Sequence, residues 1–195
     1  MNLNIVITGV GGQGNVLASR ILAQAAVEAG YKVRTSEAIG MAQREGMVMS
    51  HVRMGECLYG AVIPDGKADV LLGFELAETI RGLPKLNKKG VVIANKSCVI
   101  PVSAALGISS YQRDKLTRYL QDHVNNLHLF DATALAAQAG TVKATNIVLL
   151  GALAALNLLP YTCADLLNVV LESVPSKFKD VNKRAFELGY RAMEV

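Results

Sequence analysis

The chain has 195 residues, 51% of them hydrophobic and 18% charged, a globular balance that excludes a disordered segment. Its formal charge of +4 comes from dispersed Lys and Arg. The densest groups, Lys85 to Lys89 and Lys177, Lys179, Lys183 and Arg184, are not interleaved with aromatics, so no nucleic-acid partner is expected.

The elements alternate from the start. Residues 4–8 read as a strand, followed by a glycine loop and a helical stripe of Val16, Leu17, Ala18, Ile21, Leu22, Ala25 and Ala29 that Gly30 ends. Lys32 to Ser36 is the second strand, and a right-handed crossover predicts it to be the parallel neighbour of the first. Glu37 to Gly46 lacks a clean period and reads as a loop. Val48 to Met54 and Leu58 to Ile63 read as an antiparallel hairpin turning at Gly55-Glu56. Pro64-Asp65-Gly66 is a turn, Ala68 to Gly73 a buried strand, and Glu75 to Arg81 a helix. A turn at Lys88-Lys89-Gly90 leads to a strand over Val91 to Asn95.

The second half is mostly helical. An amphipathic helix spans Arg113 to Val124, and a short strand spans Leu127 to Phe130, ending at Asp131. An apolar helix spans Thr145 to Leu159, Thr162 caps a helix reaching Ser173, and a last helix covers Asp180 to Met193. The expected fold is α/β: one three-layer Rossmann-like domain over 1–195, with a mostly parallel, mixed sheet and a helical C-terminal part.

Three cysteines, Cys57, Cys98 and Cys163, stand far apart with no C-x-x-C, so no metal site is expected from this chain alone. The longest apolar run, Ile147 to Leu156, is too short to cross a bilayer, and the N-terminus runs straight into a core strand. A cytoplasmic protein with no membrane partner is expected.

The loop Gly9-Val10-Gly11-Gly12-Gln13-Gly14 matches the dinucleotide spacing G-x-G-x-x-G between strand and helix. Gly9 permits a sharp turn, Gly11 and Gly12 admit a ligand or another backbone, and Gly14 allows close helix packing. Free N–H groups and the helix dipole favour an anion there. Glu37 stands where a ribose-binding acid belongs, but the chain lacks a second domain to hold a hydride partner. The alternative is a tight turn that only packs helix on sheet.

A second segment is more distinctive: Ser36-Glu37, Gly40-Met41-Ala42-Gln43-Arg44, Val48 and Ser50-His51-Val52-Arg53. With the glycine loop, with Ala68 to Leu71, Thr145 to Gly151 and Asn182 to Tyr190, it resembles the γ-type domain family of 2-oxoacid:ferredoxin oxidoreductases. The resemblance is nearest the smaller subunit of the indolepyruvate branch and covers nearly the whole chain. Where that family has Gly-Gly after the arginine, this chain has Glu45-Gly46. The resemblance implies oxidative decarboxylation of an aryl pyruvate to an acyl-CoA, with electrons passing to ferredoxin. It implies a large catalytic subunit as partner, which holds the thiamine diphosphate and iron–sulfur clusters. Coenzyme A serves the complex, and this chain alone binds no cofactor. A contact between two copies of the chain is left open.

No catalytic residue is assigned here. The ligand-binding or interface set is Gly9, Gly11, Gly12, Gln13, Gly14, Gln43, Arg44, Ser50 and Arg53. Arg44, in a Met- and Gly-rich loop, reads as a carboxylate or phosphate contact, whereas Arg53, on a strand, is open between that role and surface solubility. His51 reads as a structural histidine. Met41, Met47, Met49 and Met54 suit either a partner-covered surface or core filling. Three other readings remain: a γ subunit acting on pyruvate or branched-chain 2-oxoacids, a stand-alone NAD(P)-binding protein, and a non-catalytic assembly protein.

Overall fold

The computed structural model describes residues 2–41, 46–100, 104, 106–107 and 110–194. Among the described residues six strands are β1 (Asn2–Val10), β2 (Lys32–Ile39), β3 (Met47–Gly55), β4 (Ala68–Gly73), β5 (Leu86–Asn95) and β6 (Leu127–Phe130). They form one sheet in the order β2-β3-β1-β4-β5-β6. β3 runs antiparallel to both of its neighbours, and the β1–β4, β4–β5 and β5–β6 pairs are parallel. The helices are α1 (Asn15–Glu28), α2 (Leu76–Gly82), α3 (Arg113–His123), α4 (Ala132–Ala139), α5 (Thr145–Ala155), α6 (Cys163–Glu172) and α7 (Lys179–Arg191).

The strands alternate their side chains between two cores, which makes three layers. Ile5, Ile7, Val70, Leu72 and Ile93 face α1 and the helices α4 to α7. Val6, Leu71, Val92 and Ala94 face Leu76 of α2 and Leu120 of α3. Mostly parallel, mixed pairing and the helical C-terminal part are as the sequence implies.

Three local expectations are corrected. β1 and β2 are not neighbours: β3 lies between them, because the chain folds straight back from β2 into an antiparallel hairpin and fills that place. Leu58 to Ile63 is not a strand. Both edges of β3 are already taken by β1 and β2, so this segment cannot pair with β3. Side chains hold it instead. Asn2 Nδ2 donates to the Cys57 carbonyl, Arg34 Nε to that of Leu58 and Arg53 Nη1 to that of Gly60, while the Ile63 N–H donates to His51 Nδ1. Finally, Lys88 to Gly90 belong to β5, the turn being a 3-10 segment at Leu83–Lys85.

Smaller differences lie at the ends. β2 runs on to Ile39, and the apolar helix α5 stops at Ala155. Helix α4 was not foreseen, although Asp131 caps it by accepting from the Ala134 N–H at 2.8 Å. The Thr162 cap is a full capping box with Asp165.

The inner helices α5 and α7 touch backbone to backbone. A Cβ at Gly151 would collide with the Phe186 carbonyl, and one at Gly189 with the Val148 carbonyl. Each glycine is therefore required by close approach. Gly151→Ala and Gly189→Ala should each destabilise the chain by about 3 kcal/mol, read from the urea midpoint.

His51 is 3% exposed, and burial, with a smaller contribution from Lys85, holds its pKa below the usual 6.5. The unfolded chain takes up a proton that the folded chain resists, so this term is fully present above pH 6.5 and is lost as pH falls below it. In His51→Asn, an amide oxygen accepts from Ile63 in place of Nδ1. The urea midpoint of the parent should fall more between neutral and mildly acidic pH than that of the variant. Glu78, whose carboxyl is raised by burial, slopes the opposite way but is common to both proteins and cancels.

Candidate functional site

Each residue of the glycine loop has a separate role. Gly9 lies inside β1 and not at the turn; a Cβ there would sit 2.6 Å from Gln13 Oε1 and 2.8 Å from Asn15 Oδ1. The Gly11 N–H donates to the Gly46 carbonyl at 2.9 Å, fastening the loop to the start of β3. Gly12 has φ +89° with open space around its Cα. Gly14, at φ +83°, is the N-cap of α1, and a Cβ there would meet Asn146 Nδ2 at 2.6 Å. Left-handed backbone favours glycine at both positions.

Gln13 does not project its amide outward. Oε1 accepts from the Val10 N–H at 2.9 Å, and Nε2 donates to the Phe74 carbonyl at 3.4 Å. Asn95 Nδ2 donates to the same carbonyl at 3.3 Å and to Thr133 Oγ1 at 2.9 Å, while Asn95 Oδ1 accepts from the Ala132 N–H. One network thus joins the ends of β1, β4 and β5 to the start of α4.

Above this network lies a cavity of about 260 Å³, lined by Gly12, Gln13, Asn95, Ser97, Thr133 and Lys143 among others. It opens at the carboxyl ends of the parallel strands. There α1 leaves β1 over one face of the sheet and α2 leaves β4 over the other, which is where open α/β sheets take ligands. The Gly12 N–H, the N-terminus of α1 and the exposed Lys143 give it an anion-accepting character. Asn95, Ser97, Thr133 and Lys143 were missed from the sequence. Asn95 at a strand end was a usable signal; the others come together only through the fold.

The remaining expected residues separate. Ser50 is fully buried on β3 in register with Ile7 and Glu37, and its Oγ has no hydrogen-bond partner among the described residues. Asn15, 3% exposed, is likewise buried with neither amide atom paired among the described residues. Arg53 is opposite Asn4 and binds its Oδ1 at 2.9 Å; along β1 that is ~17 Å from Gly9, so Arg53 does not join the glycine loop. Gln43 and Arg44, with Ala42 and Glu45, lie outside the described residues.

The dinucleotide arrangement places its acidic residue on the strand beside β1. Here Glu37 is two strands away, ~9.6 Å across the sheet, and accepts from Ser19 Oγ at 3.3 Å.

Beside the cavity, Glu75 is 1% exposed and staples the chain after β5 to α2. It accepts from the Glu78 N–H at 2.9 Å, from the Val99 N–H at 3.2 Å and from the Tyr111 hydroxyl. Burial, then the bond to Glu75, push the Tyr111 phenol far above its ordinary value. Among the described residues no group of three His, Cys, Asp or Glu is placed to hold a metal, and no helix is long and apolar enough to cross a membrane.

Comparison with known proteins places these features. The family model for pyruvate ferredoxin/flavodoxin oxidoreductase matches residues 4–192. The indolepyruvate oxidoreductase subunit IorB of Pyrococcus horikoshii is 45% identical, over 97% of this chain and 95% of that protein. The γ subunit of a keto/oxoacid ferredoxin oxidoreductase from Geobacter sulfurreducens superposes with a TM-score of 0.71 at 26% identity, over 98% of each chain. The 2-oxoglutarate:ferredoxin oxidoreductase of Magnetococcus marinus shares the fold, with a TM-score of 0.74 at 20% identity, over 99% of this chain and 31% of that one. The chain belongs to the pyruvate ferredoxin/flavodoxin oxidoreductase family.

Proposed function

We propose that this chain is the smaller subunit of an indolepyruvate-type 2-oxoacid:ferredoxin oxidoreductase, one γ-type domain working in the cytoplasm beside a large catalytic subunit. The observation that carries the reading is 45% identity, across nearly the full length of both chains, to a subunit so named. The reaction would convert an aryl pyruvate to an acyl-CoA and pass two electrons to ferredoxin.

The chain's own residues set the division of labour. Cys57, Cys98 and Cys163 are separate free thiols that do not fit an iron–sulfur cluster. The thiamine diphosphate and clusters therefore belong to the partner in this reading. Coenzyme A is the cofactor that the glycine-loop cavity does suit. The open backbone at Gly12, the helix N-terminus and the Lys143 ammonium match its phosphate groups. Arg44 is assigned to the same ligand on the strength of its place in the segment between β2 and β3. Gly11 N bonds the carbonyl of Gly46 at the end of that segment.

Co-expression with the large subunit should give a stable complex, and coenzyme-A-dependent oxidation of indolepyruvate should require both chains. In the complex, Arg44→Ala and Lys143→Ala should each raise the KM for coenzyme A about tenfold, as for loss of one charge-assisted contact of ~1.5 kcal/mol. The KM for the oxoacid should move much less. Full turnover by the large subunit alone would refute the subunit role. Unchanged coenzyme A kinetics in both variants would leave that role standing and remove the ligand assignment.

A further inference from the structure

We propose that Arg34 and Arg53 form an oxyanion-binding pair on the sheet at the amino end of β1, a site separate from the glycine loop and independent of the reading above. Asn4, Arg53 and Arg34 are in direct register across β1, β3 and β2, so their side chains stand in one row on one face. Two guanidinium groups on directly opposed positions repel one another unless something answers their charge. Among the described residues neither has a salt-bridge partner. Asp69, the carboxylate beside Asn4, is occupied by the Asn4 N–H and by Asn87 Nδ2. Lys32 adds a third cation on the same face, two residues from Arg34.

The pair is held in place by neutral acceptors. Arg34 Nε donates to the Leu58 carbonyl at 3.2 Å. Arg53 Nε donates to Asn4 Oδ1 at 2.9 Å and its Nη1 to the Gly60 carbonyl at 2.8 Å. Leu58 and Gly60 are two residues apart on one segment, so both guanidinium groups are drawn to the same strip of backbone. These bonds use up Nε of each arginine and part of Nη1 of Arg53. Among the described residues, both terminal nitrogens of Arg34 and Nη2 of Arg53 have no protein acceptor and keep their N–H groups for a ligand. Half-buried Arg53 is the fixed member, and exposed Arg34 at the sheet edge completes the fork. The ligand class is a group with two or more terminal oxygens, a phosphate or a carboxylate, which a pair of guanidinium forks binds with several parallel N–H···O bonds.

The test is titration of the full chain with inorganic phosphate and, separately, with acetate, against sodium chloride at matched ionic strength. Backbone amide NMR shifts at residues 34, 53 and 58–60 report binding. Saturable shifts with phosphate alone identify a phosphoryl ligand, and saturation with acetate identifies a carboxylate. Arg34→Gln should weaken the response at least tenfold, while Arg113→Gln, an exposed arginine on α3, should leave it unchanged. Arg53→Lys keeps the charge but loses the fork, and should also weaken binding. Shifts that track chloride, or that survive Arg34→Gln, overturn the proposal.

Discussion

Two side-chain amides converge on the carbonyl of Phe74. Gln13 reaches it from the glycine loop and Asn95 from the end of β5, each donating an N–H. A single acceptor at the end of β4 thereby fixes the loops after three parallel strands relative to one another. Asn95 extends the tie to Ala132 and Thr133 at the start of α4. The cavity at the carboxyl edge has the shape it has because these four chain segments are cross-braced beneath it. Such a brace matters more than any single bond of about 1 kcal/mol would indicate, since its bonds link the ends of separate elements into one polarised network. Gly9 belongs to the same device: only without a side chain does it leave room for the folded-back Gln13.

The second organising constraint is the lone antiparallel strand. β3 occupies the place beside β1 where a dinucleotide-binding sheet has its second parallel strand. Several features follow from that one substitution. Glu37 is carried away from the glycine loop, the 58–63 segment loses its chance to pair, and Arg34 is brought opposite Arg53. A glycine fingerprint can thus persist in a sheet whose strand order has removed the rest of the dinucleotide site. The loop keeps the Gly12 N–H and the helix dipole, which favour an anion whatever the ligand's other parts are.

Gly151 and Gly189 set how closely α5 and α7 approach one another. Asn146 on α5 packs against Gly14, so the position of α5 depends on both the α7 contact and the glycine loop. Lys143 stands just before α5 and enters the cavity by that route. A residue 131 positions from Gly12 in sequence becomes its neighbour through two glycine contacts.

Element type was legible in the sequence for most elements that a period or a cap marked, α4 behind its Asp131 cap being an exception. Ala68–Gly73 and Leu127–Phe130 were delimited by their apolar runs and flanking turns, and α6 by the Thr162 cap. The two motifs, read together, were enough for the family, because spaced residue identities survive where local propensity says little. Strand order was not legible. Val48 to Met54 has the same strand character whether it pairs with the segment before it or the one after it. In the fold β1 and β2 take the two edges of β3, and Leu58–Ile63 is left outside that pairing. The sorting of Ser50, Arg53 and the glycine loop into separate places followed from the same choice. Local chemistry determined most of the strands, helices and turns; tertiary pairing, which joins residues far apart in sequence, denied Leu58–Ile63 a strand partner, carried Lys88–Gly90 into β5 and decided which residues share a site.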